Sequence, residues 1–344
     1  MSALGGNGRR CGRATAPAAV GLMNRFGRRA RRPPRGCSPA CRGDGMCYNP
    51  FAMLRNTILR PIVIVLLAGT CAWAQTRVLH REKSAFNEII VEEDASGIRT
   101  LLFEENGAMQ TAMKVSAPTE LVLSYARAIM VPLAIVPEPR RMLIVGLGGG
   151  AMPKYLHKAY PEARIDVAEL DPAVIEVAKK FFFFREDERL KAHAGDGRKF
   201  IETTDNRYDV IFLDAYGADS IPYSLATREF LLAVKAKLAD GGICVGNVWS
   251  YRSNRQYWSM LKTYQDVFPE LHIVRASASE NHIFIALPVR KNLTRELLIE
   301  KAGELRKKRM PDLPLPDLVR DGYLPIPSLP AEAKVLLDRD APRQ

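Results

Sequence analysis

Three carboxylates and one glycine loop are the residues of this 344-residue chain whose types and spacing could do chemistry. The loop runs Gly146-Leu147-Gly148-Gly149-Gly150 after a short apolar run. Gly146, Gly148 and Gly150 would let the backbone pass close to a ligand and leave the next helix N-terminus facing it. Alone, the loop also fits a dinucleotide fingerprint, because Ala151 occupies the last position of G-x-G-x-x-A. The acids narrow the reading. Glu169 ends the second strand-like run, where a carboxylate can accept hydrogen bonds from both hydroxyls of a ribose. Asp196, within Gly195-Asp196-Gly197, follows the third and can accept from an adenine amino group, and Asp214 ends the fourth. A single such Asp reads equally well as the cap of the next turn. Three at successive strand ends beside a glycine loop, with few cations near the loop to hold a pyrophosphate, read as a site for an adenosyl nucleoside.

The elements that must position these residues alternate. Met142–Val145, Ala163–Ala168, Leu190–Ala194, Tyr208–Leu213 and Gly242–Val248 have the composition of buried strands. Between and after them, residues 151–159, 172–182, 226–238 and 254–268 read as helices, and Leu271–Val274 with His282–Leu287 form a closing strand pair. This rhythm predicts an α/β fold, a Rossmann-like doubly wound and mostly parallel sheet, with its ligand at the carboxyl ends of the strands. Ahead of it, Glu88–Glu93 and Arg99–Glu104, separated by Asp94-Ala-Ser-Gly97, predict a small antiparallel β domain over residues 84–117. Pro118-Thr119 is expected to open a helix reaching Val131, with Thr119 as N-cap, and the nucleoside-binding catalytic domain is assigned to residues 118–290. Residues 291–344 are assigned to a charged surface helix and a proline-rich tail that is extended over Pro311–Pro330.

The formal net charge of +12 suggests a nucleic-acid binder until its distribution is examined. Through Ala74 the chain carries 12 Arg, no Lys and one acid, whereas everything after it is nearly neutral. A nucleic-acid footprint is a basic patch on a folded domain, so nucleic acid is not an expected partner. Residues 1–52 read as a disordered Arg-rich leader that an over-long gene start would explain. Residues 53–74 have a basic start, a short apolar run and Ala72-Trp73-Ala74, the pattern of a secretory signal peptide. Export to a periplasm or the outside is therefore expected, with no stable membrane span in the mature chain; an uncleaved membrane anchor is the alternative. Five of the six cysteines precede Gln75, leaving Cys244 unable to form an internal disulfide. No metal site is expected: His157, His193, His272 and His282 lack ligand spacing, and only His282 sits where it could border the cleft. The aromatic run Phe181–Phe184 reads as packing, and Trp249 and Tyr251 as either pocket wall or core.

From about Ser84 to Leu287 the sequence resembles the polyamine aminopropyltransferases, the spermidine synthase family. The matching motifs are Asn106-Gly107-Ala-Met-Gln110, Gly146-Leu-Gly-Gly-Gly-Ala-Met152, Glu169-Leu-Asp171, Gly195-Asp196-Gly197 and Asp209-Val-Ile-Phe-Leu-Asp214-Ala-Tyr. The resemblance implies a small β domain before a Rossmann-like catalytic domain. It implies that Glu169 holds the ribose and Asp196 the adenine, with Gly146, Gly148, Gly150 and Gly197 in the donor-binding turns. Gln110 would line the cleft, and Asp214 would be the general base beside the attacking amine. It also implies decarboxylated S-adenosylmethionine as co-substrate with no permanently bound cofactor, a small amine such as putrescine as acceptor, and admits a homodimer.

The chain departs from the family on the amine side. Gly149 stands where an Asp usually helps hold the aminopropyl ammonium, and Asp214-Ala-Tyr-Gly217 lacks the second acid of Asp-x-x-Asp. Asp219 could substitute only at a different spacing, and Ser124-Tyr125-Ala126-Arg127 replaces the family's Tyr-His-Glu. An altered acceptor, an S-adenosylmethionine-dependent methyltransferase on the same fold, and an exported nucleoside binder without turnover all remain open on the sequence.

Overall fold

The computed structural model describes residues 76–216 and 221–342. The leader, the signal-peptide segment, Gly217 and Asp219 lie outside the described residues.

Four strands come first: β1 (Arg77–Lys83), β2 (Glu88–Glu93), β3 (Ile98–Leu102) and β4 (Met109–Lys114), paired antiparallel in chain order. The sheet thus begins at Arg77, a strand earlier than the 84–117 assignment. Its inner face, with Ile89, Val91, Leu101 and Met113, packs on Val174, Val177 and Phe182 of the larger unit, so it is half of a shared core.

The larger sheet is built from β5 (Arg141–Val145), β6 (Arg164–Glu169), β7 (Leu190–Ala194), β8 (Tyr208–Leu213), β9 (Leu238–Trp249), β10 (Glu270–Arg275), β11 (Asn281–Leu287) and β12 (Tyr323–Leu324). Its order is β12-β10-β11-β9-β8-β5-β6-β7. The five strands from β9 to β7 are parallel and the three at the other edge antiparallel. This is the doubly wound sheet the alternating pattern predicts. The chain winds outward from β5 to β7, then returns to the other side of β5 with β8. The crevice of such a sheet opens where the winding reverses, here between the carboxyl ends of β5 and β8.

The helices α1 (Ser124–Ala128), α2 (Ala151–Ala159), α3 (Pro172–Phe181), α4 (Gly197–Thr203), α5 (Arg228–Ala236) and α6 (Tyr257–Val267) cover the two faces. Their starts follow local chemistry. Asp171 accepts from Ala173 N ahead of α3, with Pro172 in the first turn, and Asp196 accepts from Arg198 N and Lys199 N ahead of α4.

Two expectations need correcting. The helix expected from Thr119 to Val131 is only the five residues of α1, because Ala117 N and Glu120 N close successive turns on Lys114 O and Ala117 O and delay helix entry. The segment Pro311–Pro330 is not wholly extended. It holds α8 (Leu315–Gly322) and β12, since Pro316 falls in the first helical turn, where its missing N–H costs nothing. The charged helix is α7 (Arg295–Lys308). Its Leu298, Ala302 and Leu305 are buried in the core, and Thr294 caps it through Leu297 N. Among the described residues no helix is long and apolar enough to cross a membrane.

Candidate functional site

A cleft of about 640 Å³ opens over the carboxyl ends of the parallel strands. It gathers Gln110 from β4, Gly146 and Gly148 after β5, Glu169 at the end of β6, Asp196 and Gly197 after β7, and Asp214 after β8. Gly150 is not among its lining residues. It stands behind the loop at φ 72°, and a Cβ there would lie 2.8 Å from the Phe184 ring.

The glycines answer mainly to protein packing. Gly146 has φ 102°, and a side chain on it would collide with the Asp214 carbonyl, so it brings the ends of β5 and β8 together at the crevice. The loop amides are already spoken for. Leu147 N donates to Glu169 Oε2 at 2.8 Å, Gly149 N to Thr111 Oγ1 at 2.8 Å, and Gly150 N to Leu147 O at 2.9 Å. A pyrophosphate cradle needs such amides pointing at the ligand. Their engagement inside the protein counts against a pyrophosphate cradle in this loop, in line with the narrowing by the acids.

Glu169 is buried. Besides Leu147 N, its other oxygen accepts from Asp171 N at 2.9 Å. A carboxylate offers about four acceptor directions, so this grip still leaves acceptor capacity on the cleft side. Desolvation raises its pKa, and the backbone amides oppose that rise. Asp171 ties this motif to the small sheet, because its Oδ2 accepts from Asn87 Nδ2 at 3.1 Å and from Ser84 Oγ. The β1–β2 turn is thereby held at the cleft, where exposed Phe86 and Leu170 present apolar surface suited to a flat ring. Asp196 spends Oδ1 on both capping bonds of α4, at 2.7 and 3.1 Å, which leaves Oδ2 for a ligand.

On the other side Asp214 is held by side chains. Its Oδ1 accepts from Asn247 Nδ2 at 2.7 Å, and Asn247 Oδ1 accepts from Asn281 Nδ2 at 2.8 Å. Burial pushes the Asp214 carboxyl up to about 7, against the lowering effect of the Asn247 bond. Tyr216 donates to Asn247 O at 2.8 Å and stacks on Trp249 with ring centroids 4.9 Å apart. Tyr125 completes this wall, its hydroxyl donating to Gln110 O at 3.3 Å, and burial together with the Asp214 charge raises its pKa.

Gly149 has no place in the cleft. A Cβ on it would stand 2.8 Å from both Phe182 Cδ1 and Thr111 Cγ2, so the space beside this position is filled from the small sheet and the end of α3. Phe182 and Phe184 are fully buried, as packing residues should be, and Lys154 Nζ donates to Phe182 O from within the core. His282 is buried and paired with Tyr257 OH at 2.8 Å, outside the cleft lining. Trp249 lines the cleft whereas Tyr251 does not.

Sequence reasoning missed Asn87, Asn247, Glu280 and Asn281, all lining residues. The first stands in a turn; Asn247 lies in β9, Asn281 in β11 and Glu280 just before it, and the antiparallel register of these two strands is not revealed by any local pattern. The cleft contains four carboxylates, Glu169, Asp196, Asp214 and Glu280, and no Lys, Arg or His among its described lining residues.

Comparison with known proteins agrees with this architecture. Residues 123–277 match a spermine/spermidine synthase domain. The chain is 33% identical over 236 residues to a polyamine aminopropyltransferase of Vibrio vulnificus, covering 66% of this chain and 75% of that one. It is also 33% identical over 187 residues to the mouse eEF1A lysine and N-terminal methyltransferase, covering 51% of this chain but only 27% of that enzyme. Among solved structures it is similar to spermidine synthase from Thermotoga maritima, with a TM-score of 0.56 at 19% identity over 73% of this chain and 85% of that one. The doubly wound sheet, the small sheet docked beside its crevice and these likenesses together establish that the chain belongs to the spermine/spermidine synthase family and is a transferase.

Proposed function

We propose that the protein moves an aminopropyl group from decarboxylated S-adenosylmethionine to a small amine such as putrescine. The observation that carries this reading is the sign of the cleft: four carboxylates and no basic side chain among the described lining residues. The decarboxylated donor presents a sulfonium and an ammonium, both matched by such a lining. Ordinary S-adenosylmethionine adds a carboxylate, which would enter a negative, partly desolvated cleft without a cation to meet it.

Glu169 is assigned to the ribose hydroxyls, Asp196 Oδ2 to the adenine amino group, and Phe86 with Leu170 to the faces of the base. Asp214 is assigned to the attacking amine. The acceptor amine enters as an ammonium, and Asp214 takes one of its protons to free the lone pair. That nitrogen attacks the aminopropyl methylene carbon attached to sulfur; the new C–N bond forms as the C–S bond breaks, and its electron pair returns to sulfur as a neutral thioether. The product nitrogen keeps the positive charge as a secondary ammonium, and Asp214 passes the abstracted proton to solvent. A carboxyl with its pKa pushed up to about 7 is a better proton acceptor than an ordinary Asp.

A methyltransferase on the same scaffold is the second reading, favoured by the likeness to the mouse eEF1A methyltransferase and by a filled space at Gly149. Calorimetry with methylthioadenosine and with the two donors, followed by turnover with putrescine, separates the two. Preference for the decarboxylated donor with release of methylthioadenosine is the expected result; preference for ordinary S-adenosylmethionine would overturn it. Export through residues 53–74 is part of the proposal, and N-terminal sequencing of the mature protein tests it.

A further inference from the structure

The four acids of the cleft are spread in a row along the carboxyl edge of the large sheet. Asp196 follows β7, Glu169 ends β6, Asp214 follows β8, and Glu280 stands just before β11, at the same edge because Asn281 pairs with Trp249 at the end of β9. Glu169 and Asp196 belong with the nucleoside at one end of the row. Glu280 lies at the opposite end, two strands beyond β8, and the donor assignment does not use it.

Glu280 is exposed and is held by one residue, Ser250, through both backbone and side chain. Its backbone carbonyl accepts from Ser250 N at 2.6 Å, and its Oε2 accepts from Ser250 Oγ. The next residue, Asn281, is joined through Asn247 to Asp214. Between the two acids lies the stacked pair Tyr216 and Trp249, an apolar wall. Neighbouring strands are ~4.8 Å apart and residues along a strand ~3.3 Å apart. Asp214 is level with Asn247 and Glu280 with Ser250 two strands away, so their backbone positions are ~14 Å apart, a span that the two acid side chains shorten from either end. That arrangement has an acid at each end and aromatic surface between, the complement of a short α,ω-diamine with one nitrogen at Asp214 and its methylenes on the rings.

We propose that Glu280 holds the distal ammonium of the acceptor and sets the preference for diamines over monoamines. The assignment rests on the aminopropyl-transfer reading above. In this chain it places the second acceptor acid on the turn before β11, outside the Asp214–Gly217 loop. Glu280 acts by charge-assisted hydrogen bonding to a cation, while Asp214 handles the reacting nitrogen.

The test compares diamines with n-alkyl monoamines of equal length, by calorimetry in the presence of methylthioadenosine and by steady-state turnover with the decarboxylated donor. Wild-type protein should bind the diamine at least ~10-fold more tightly than the monoamine, the range of one charged hydrogen bond. Glu280→Gln should raise the diamine Kd and KM by ~10–30-fold and leave monoamine and methylthioadenosine affinity within about two-fold. Glu280→Asp, which keeps the charge, should recover part of the loss. An unchanged diamine-to-monoamine ratio in Glu280→Gln, or no preference in the wild type, overturns the proposal. If turnover proceeds but the ratio does not move, Glu280 is wrong and aminopropyl transfer stands. If no turnover occurs and the diamine preference still depends on Glu280, the reaction assignment fails and the binding site stands.

Discussion

Glu169 and Asp214 stand at the ends of strands two apart in the same sheet, yet they are held in opposite ways. Glu169 is gripped by backbone: Leu147 N and Asp171 N each occupy one of its oxygens, and the glycine loop that supplies one of them is closed by Thr111. Asp214 is held by a side-chain amide that is itself oriented by another, Asn281 behind Asn247. Backbone partners cannot be exchanged by substitution, whereas a relay of amides can be retuned one residue at a time. On the proposed assignment the nucleoside half is thus constrained by the fold, and the amine half is where the acceptor can change. The departures from the family pattern, at Gly149, Gly217 and the Ser124–Arg127 stretch, leave the glycine, Glu169 and Asp196 positions that the resemblance gives to the nucleoside untouched.

The sharpest test of this division is Asp214→Asn. It keeps an oxygen for Asn247 Nδ2 but removes the proton acceptor, so turnover should fall ~10²–10⁴-fold while methylthioadenosine affinity, read by calorimetry, stays within about two-fold. Equal losses in both would show that the halves are not separable. The same substitution has a stability signature. Asp214 titrates near 3.8 when unfolded and at about 7 when folded, so its contribution is fully present below pH 4 and is lost as pH rises to 7. Asn lacks this slope, and the variant should gain relative to wild type by as much as ~4 kcal/mol in denaturant unfolding above pH 7, with little gain near pH 4.

Glu169→Ala attacks the other half. Two buried amides lose their acceptor and the ribose loses its partner, so methylthioadenosine affinity should weaken ~10–100-fold. The variant should also unfold at lower denaturant, because the loop and Asp171 are anchored on that carboxylate. An unaltered calorimetric affinity would remove Glu169 from the nucleoside site.

These residues differ in how openly the sequence announces them. Glu169, Asp196 and Asp214 were legible because apolar strand runs end at each of them, and a doubly wound sheet puts all such ends on one edge. The small sheet was legible from Asp94–Gly97, although its first strand was not: Arg77–Lys83 carries four charged residues and little alternation. Asn247, Glu280 and Asn281 were hidden because they meet through antiparallel register across β9 and β11, which is set by long-range packing. The filling of space beside Gly149 was hidden for the same reason, since Thr111 and Phe182 arrive from 38 residues before and 33 after. The proline count misled over Pro311–Pro330, where Pro316 opens a helix.

Gly149→Asp asks whether the divergence of the amine half can be reversed by restoring one acid. The Cβ alone would sit 2.8 Å from the Phe182 ring and the Thr111 methyl, and Thr111 Oγ1 is the acceptor that closes the loop at Gly149 N. Overpacking of this kind costs ~1–3 kcal/mol, so the variant should be destabilised by that amount in urea unfolding without gaining affinity for the decarboxylated donor. A stable variant that binds the decarboxylated donor more tightly would mean that this position retains the family arrangement and that Thr111 and Phe182 yield to it.

The smallest effect is expected at Asn247, and its direction is the informative part. Asn247 Nδ2 donates to Asp214 Oδ1 and so favours the ionised carboxylate, working against burial. Because Asp214 must be ionised to accept a proton, kcat/KM should rise with pH through a midpoint near 7. Asn247→Ala removes the donor, so the midpoint should move to higher pH by up to ~1 unit, which corresponds to ~1.4 kcal/mol. Activity would then recover at alkaline pH, where a catalytic or folding defect would persist across the whole profile. Asn281→Ala should reproduce a weaker version of the shift, because it leaves the donor in place and removes only the bond that turns it toward Asp214. A midpoint that moves to lower pH, or stays fixed in both variants, would mean that the amide relay does not set the charge of Asp214, and the contrast with the backbone-held Glu169 would lose its chemical consequence.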